Sequence, residues 1–92
     1  MNETLKHPRN SLKILSDILA IAYDGSRKTH IMWRANLGYN QLDYYLDFLL
    51  DNSLIAKTED AGLEGAFLFQ TTDKGRDFLS KFLELQEILL PR

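Results

Sequence analysis

The chain contains no cysteine among its 92 residues, and only two prolines and two histidines. Without cysteine, neither a disulfide framework nor a cysteine-ligated zinc site can form. No apolar run approaches the roughly 20 residues that a membrane-spanning helix needs, and the N-terminus lacks the apolar core of a signal peptide. We therefore expect one soluble, intracellular and cytoplasmic domain over residues 1–92, without membrane association.

Residues that commonly carry catalysis are sparse. His7 and His30 are the only histidines, and neither has a carboxylate at metal-ligand spacing. No serine lies in a nucleophile elbow, and no glycine-rich phosphate loop is present. Asp43 and Asp47 lack the further ligands that would make a good cation site. We therefore expect a binding protein and not an enzyme, with no catalytic residues, no metal and no cofactor.

The net charge of −2 does not favour a general coat for nucleic acid, but the charges are unevenly distributed. Basic residues outnumber acidic ones in residues 1–37, whereas residues 38–67 carry acidic residues against Lys57 alone. The basic residues of the first segment are Lys6, Arg9, Lys13, Arg27, Lys28 and Arg34. The acidic residues of the second are Asp43, Asp47, Asp51, Glu59, Asp60 and Glu64. An anion-binding surface must therefore draw on the ends of the chain.

Residues 28–55 have the spacing of two helices joined by a short break. Apolar residues recur at three- and four-residue steps, which predict a second helix from Ser26 or Lys28 to Ala35 and a third from Tyr39 or Asn40 to about Asn52. Between them, Asn36 and Gly38 favour a turn, and Leu37 is expected to fill the corner. This pattern predicts a helix-turn-helix.

The flanking segments complete the predicted fold. Residues 1–9 form a lead-in, and a first helix begins at Asn10 or Ser11 and closes at Asp24 and Gly25. Residues 54–58 and 66–71 are predicted strands of a hairpin, with residues 59–65 as a broad loop. Thr72 caps a last helix, in which Gly75 costs about 1 kcal/mol relative to alanine. That helix therefore depends on packing.

The order helix, helix, helix, hairpin, helix predicts a winged helix-turn-helix, mainly α with a small β-hairpin in the order α-α-α-β-β-α. We divide it into a winged helix over 10–71 and a last helix over 72–90. Along that helix Phe78, Phe82, Leu85 and Leu89 follow at the steps of a heptad seam, which predicts a homodimer interface.

The run KTHIMWRANLGYNQLDYYLDFLLDNSLI, followed by FLFQTTDKGRDFL, resembles the small archaeal winged-helix proteins known as DNA-binding proteins and transcriptional regulators. The resemblance covers residues 11–85. It implies a transcriptional regulator that binds double-stranded DNA. It also implies that the last helix forms an antiparallel coiled coil with a second copy of the chain, in agreement with the heptad seam.

The third helix is the predicted recognition helix, because in this fold its N-terminal residues meet the base edges in the major groove. Asn40 and Gln41 are expected to contact a base pair, and Tyr44 a phosphate or a thymine methyl group. The alternative is that these are ordinary solvated positions.

Basic residues of the second helix are expected to contact the phosphates. Lys28 and Thr29 lie near its N-terminus, and Arg34 lies on its outer side, with Lys74 and Arg76 as possible flanking contacts. A solvated basic face is the competing interpretation.

Two features oppose simple DNA binding. Asp43, Asp47 and Asp51 lie four residues apart and line one face of the third helix, where a DNA reader usually carries lysine or arginine. The loop of residues 59–65, which is the wing of this fold, is acidic, and we expect it to be a solvated loop. The alternative hypothesis is therefore a protein-interaction module whose acidic face binds a basic protein partner, with weak or no DNA binding. Trp33 is expected in the core or an interface, and the other aromatic residues, Tyr44 apart, mostly in the core.

Overall fold

The structure is a computed structural model that describes residues 10–89. It contains four helices and one antiparallel hairpin in the predicted α-α-α-β-β-α order, which confirms the winged-helix fold. The elements are α1 (Ser11–Ile21), α2 (Lys28–Ala35), α3 (Tyr39–Asp51), β1 (Ile55–Glu59), β2 (Phe67–Thr71) and α4 (Asp73–Leu89).

The core lies between the first three helices and the hairpin. Its fully buried side chains come from α1, α2 and α3 and are Ile18, Leu19, Ile31, Leu42 and Leu49. At the α2–α3 corner Asn36 adopts a left-handed backbone with φ of 57°, and the Leu37 amide donates to the Met32 carbonyl at 3.1 Å. The side chain of Leu37 is buried, so it fills the corner as the sequence predicts.

Helix α1 begins as predicted but ends earlier. The Asn10 side chain caps it by accepting from the Lys13 amide at 2.9 Å, and the last helical residue is Ile21, not Asp24. Thr71 of β2 supplies the reason, because its hydroxyl donates to the Leu19 carbonyl at 2.7 Å and its amide to the Ala22 carbonyl at 3.0 Å. The strand satisfies the terminal carbonyls of α1 in place of a further helical turn.

The hairpin pairs Ile55 with Thr71 and, at its far end, Glu59 with Phe67. It is tied to the α1–α2 connection by two hydrogen bonds between Ser26 and Phe69, of 2.9 and 2.8 Å. These bonds orient the wing relative to the start of α2. The position of the wing therefore depends on the same short segment that begins the helix-turn-helix.

Helix α4 is capped by Thr72, whose hydroxyl accepts from the Gly75 amide at 3.0 Å, as predicted. Gly75 packs against the backbone before β1, since a Cβ atom at this position would lie 2.1 Å from the Leu54 carbonyl oxygen. Glycine thus permits a close contact that an alanine would block. The packing on which α4 depends is therefore the contact of Gly75 with the backbone at Leu54.

The aromatic residues do not occupy the core to the extent expected. Among the described residues, Phe69 is the buried aromatic side chain, while Tyr45 and Phe78 pack partly against the core. Trp33 is 76% exposed, and the other aromatic residues with large exposed fractions are Tyr23, Tyr39, Tyr44, Phe48 and Phe67. The expectation that most aromatics are core is wrong, because aliphatic side chains already fill the space between the helices.

Candidate nucleic-acid interface

The candidate surface consists of the exposed residues in the N-terminal half of α3 and on the outer side of α2, the two helices that the tight turn joins. The buried residues of α3 fall on one side of the helix, so Asn40, Gln41 and Tyr44 are on the exposed side. The buried residues of α2, Ile31 and Ala35, likewise leave Arg34 facing outward. The fold therefore brings the predicted base-reading and phosphate-binding residues to the exposed sides of adjacent helices.

Lys28, the first residue of α2, is held by α3. Its ammonium group forms an ion pair with the Asp43 carboxylate and lies 4.8 Å from the centre of the Tyr39 ring. The hydrogen bond to Asp43 raises the pKa of Lys28 above its usual value, so this side chain stays charged. A predicted phosphate ligand is thus already paired with one of the acidic residues that oppose DNA binding.

Arg27 likewise forms an ion pair with an acidic residue, here in the wing. Its Nε and Nη2 atoms donate to Asp60 Oδ2 at 2.8 and 2.5 Å, while Asp60 Oδ1 accepts from the Gly62 amide at 2.9 Å. The Gly62 amide first, and the Arg27 guanidinium second, hold the pKa of Asp60 below its usual value. Asp60 of the wing therefore forms an ion pair with a basic residue of the candidate surface.

Thr29 and Arg34 are the predicted phosphate ligands that remain uncommitted. Both are exposed, and within residues 10–89 neither side chain forms a hydrogen bond or an ion pair. Arg34 also lies in the last turn of α2, where the helix dipole favours a cation. Its guanidinium is free to bind an anion through bidentate hydrogen bonds.

The predicted base-reading residues differ in availability. The Asn40 amide is exposed and has no partner among the described residues. The Gln41 side chain accepts through Oε1 from the Gly38 amide at 3.0 Å, so it caps α3 and leaves only its amide nitrogen to donate. Tyr44 is 70% exposed, and its ring meets Tyr45 edge to face at 5.2 Å, which restricts its orientation.

The rest of the acidic face is less engaged within residues 10–89, where Asp47 acts on Lys28 only through its charge and adds a little to the raised pKa of that lysine. Asp47 and Asp51 are exposed, and neither forms an ion pair within residues 10–89. Lys74 does not reach them, because its ammonium donates to the Asn52 carbonyl at 2.9 Å. Arg76 is likewise engaged, with its guanidinium 4.5 Å from the Tyr23 ring centre and donating to the Tyr23 carbonyl. Both side chains therefore already have partners within residues 10–89, and their role as flanking phosphate contacts stays a prediction.

The predicted seam on α4 is divided between core and surface. Phe78 and Phe82 are partly buried, whereas Leu85 is exposed and Leu89 is 67% exposed. Phe82, Leu85 and Leu89 line an open groove of about 330 Å³ together with Leu12 of α1. The heptad spacing predicts the α4 side of this groove. It does not predict that Leu12 of α1 lines the other side.

Sequence reasoning also missed the two ion pairs at the start of α2. Their partners lie 15 and 33 positions apart in the chain, and opposite charges at such separations carry no periodic signal. The only available hint was the helix-turn-helix itself, because its tight corner forces α2 and α3 together.

Within the described residues, no helix is long and apolar enough to cross a membrane, and no group of three or more ligand-type side chains is placed to hold a metal.

Comparison with curated proteins gives relatives in an archaeon. The uncharacterized protein MJ0287 of Methanocaldococcus jannaschii is 32% identical over 89 residues, which cover 96% of this chain and 84% of that protein. The uncharacterized protein MJ0290 of the same organism is 32% identical over 84 residues, covering 90% of this chain but 36% of its own length. The chain thus spans about a third of the second relative.

Solved structures confirm the fold. Sso10a-2, a DNA-binding protein from Sulfolobus solfataricus, aligns with a TM-score of 0.74 at 21% identity and covers 88% of this chain and 85% of its own. The transcriptional regulator BldR, also from Sulfolobus solfataricus, aligns with a TM-score of 0.68 at 20% identity over 94% of this chain and 59% of its own.

A sequence model of the winged helix-turn-helix family matches residues 8–90, which is most of the chain. Together with the archaeal relatives, this match confirms the resemblance drawn from the motifs. The chain belongs to the winged helix-turn-helix family.

Proposed function

We propose that this protein is a homodimeric, non-enzymatic regulator of transcription that binds double-stranded DNA. The observation that carries the proposal is the exposed amide of Asn40 at the N-terminus of α3, together with the exposed guanidinium of Arg34 on α2, neither of which has a side-chain partner within residues 10–89. In a helix-turn-helix these are the positions that meet bases and phosphates. The fold that it shares with a DNA-binding protein and a transcriptional regulator supports the same conclusion.

Each residue of the surface has a proposed role. Asn40 and the Gln41 amide nitrogen contact base edges, and Tyr44 contacts a thymine methyl group or a phosphate. Thr29, Lys28 and Arg34 bind phosphates on either side of the groove. The α4 seam of Phe78, Phe82, Leu85 and Leu89 packs on the same seam of a second copy, so that two recognition helices act together.

Duplex binding is tested by fluorescence anisotropy with labelled DNA over a series of salt concentrations. The wild-type protein should bind at low salt, with an affinity that falls as salt rises. Arg34→Ala should lower the salt slope by about one unit per protomer bound, since each copy loses one phosphate contact. Lys81→Ala removes the same charge from α4 and should leave the slope unchanged. Absence of binding at low salt, or binding indifferent to salt, would remove the proposal.

A second candidate function is a protein-interaction module for a basic partner. It is favoured by Asp47 and Asp51, which are exposed on α3 without an ion pair in the described part of the chain. Asp47→Asn separates the two functions. DNA affinity should rise if α3 binds DNA, because a carboxylate facing the phosphates is removed, whereas the affinity for a lysine-rich peptide should fall if α3 binds a basic protein.

A further inference from the structure

Both basic side chains at the start of α2 are occupied by carboxylates from the elements that flank them. Asp43 of α3 holds Lys28, and Asp60 of the wing holds Arg27. The recognition helix and the wing are the parts of a winged helix that approach DNA. Their carboxylates therefore form ion pairs with the cations of the expected contact surface. Both cations reach the surface: the Lys28 and Asp43 side chains are 32% and 46% exposed, and Arg27 is 48% exposed against 14% for its partner Asp60.

We propose that Asp43 and Asp60 compete with DNA phosphates for Lys28 and Arg27, so that the protein binds random duplex DNA weakly and binds tightly only where base contacts are also made. This inference rests on the proposed DNA-binding function and adds a discrimination mechanism to it. Affinity for random DNA comes almost entirely from lysine and arginine that neutralise phosphates. A cation already neutralised by its own protein adds little to that affinity.

The geometry supports an exchange of partners in place of a permanent pair. The Lys28–Asp43 pair is partly exposed, and exposed ion pairs contribute little to stability, so a phosphate can replace this carboxylate at small cost. The Tyr39 ring beneath the Lys28 ammonium remains as a support when Asp43 leaves. Asp60 also keeps the hydrogen bond from the Gly62 amide after Arg27 departs. Each cation can therefore move to DNA without leaving an unpartnered group in the protein interior.

Net charge alone would not produce the same behaviour. Asp51 lies on α3 with Asp43, and Glu59 lies next to Asp60, yet neither forms an ion pair within residues 10–89. Removing any of these carboxylates changes the total charge equally, but only Asp43 and Asp60 hold a cation. Asp51→Asn and Glu59→Gln are therefore charge-matched controls for Asp43→Asn and Asp60→Asn.

The test measures binding to random-sequence duplex DNA at several salt concentrations. Asp43→Asn and Asp60→Asn should each raise the affinity by up to about fivefold, the factor that corresponds to an exposed ion pair. Each should also steepen the salt slope by about one unit per protomer bound, because one more cation in each copy contacts a phosphate. Asp60→Asn keeps a carbonyl oxygen for the Gly62 amide, and circular dichroism checks that both variants fold.

A second measurement asks whether Asp43 acts through Lys28. In a Lys28→Gln background, Asp43→Asn should raise the affinity no more than Asp51→Asn does, because no cation remains to be released. A gain that persists in this background overturns the proposal.

The possible failures are distinguishable. If the wild-type protein binds duplex DNA but Asp43→Asn and Asp60→Asn match their controls, the competition mechanism is wrong and the DNA-binding function stands. If no form binds duplex DNA at low salt, the function fails and the competition mechanism fails with it.

Discussion

Two residues have roles that depend on backbone contacts and not on side-chain periodicity. Gly75 lies in the first turn of α4, where it admits the Leu54 carbonyl oxygen to 2.1 Å from the position of a Cβ atom. Asp60 organises the wing by accepting from the Gly62 amide as well as from Arg27. Both are single positions where one substitution is informative.

Gly75→Ala should destabilise the protein although alanine is the better helix former. The added methyl group forces α4 away from the backbone before β1, an overpacking that costs about 1–3 kcal/mol, more than the ~1 kcal/mol gained in helix propensity. Urea denaturation followed by circular dichroism measures the change. Gly62→Ala is the control, because its Cβ atom would meet only the Asp60 side chain at 3.4 Å. A Gly75→Ala variant as stable as the wild type would contradict the close contact.

The Asp60 carboxyl should titrate below pH 3.8, the ordinary value for aspartate, in the folded protein. Because its folded pKa is the lower one, its contribution to stability is present above the unfolded pKa and is lost as the pH falls through the folded pKa. NMR titration of the side-chain carboxyl carbon measures this directly. Arg27→Gln should relieve only part of the shift, since the Gly62 amide is the larger cause; complete relief would contradict that order.

At the level of elements, the ends of helices are decided by the elements that pack on them. Helix α1 ends at Ile21 because Thr71 of β2 takes two of its terminal carbonyls. The same strand bonds to Ser26 just before α2. One strand therefore joins the first helix to the helix-turn-helix and to the wing.

Thr71→Val should weaken this junction while keeping the shape of the side chain. It removes the buried hydroxyl that donates to the Leu19 carbonyl at 2.7 Å, a loss of about 1–2 kcal/mol. Thermal unfolding provides the measurement, and Thr58→Val on the exposed part of β1 is the matched control. Equal stability of the two variants would show that the Thr71 hydroxyl does not hold the strand on α1.

For the molecule as a whole, the long α4 presents more apolar surface than the fold can cover. Leu85 and Leu89 of the predicted seam are exposed, as is Ile88 outside the seam, and the domain extends 45 Å along its longest axis. A heptad seam of this kind is typical of helices that pair with a second helix. The homodimer is therefore a proposal about how this surface is buried.

Leu89→Asp should convert the proposed dimer to a monomer, because a carboxylate would enter the apolar groove. Sedimentation velocity at micromolar concentration measures the mass. Ser80→Asp, at an exposed α4 position outside the seam, adds the same charge and should leave the dimer intact. A monomeric wild type, or a Leu89→Asp dimer, would show that α4 is not the interface.

Local patterns were enough to obtain the elements and their order. The steps of three and four that define α2 and α3, the Asn36–Gly38 turn and the Thr72 cap all arise from neighbours in the chain, and the structure places each of them as expected. The exposed side of α3 follows from the same periodicity, so the positions of Asn40 and Tyr44 could also be predicted.

Contacts between distant segments could not be read in that way. The pairs of Lys28 with Asp43 and of Arg27 with Asp60, the early end of α1 and the need for glycine at position 75 each depend on where another element lies. Charge and size at a single position do not reveal such neighbours, because proximity is created by folding. The sequence marked the acidic residues of α3 as unfavourable for DNA, whereas packing of α3 against α2 turned one of them into the partner of a basic residue.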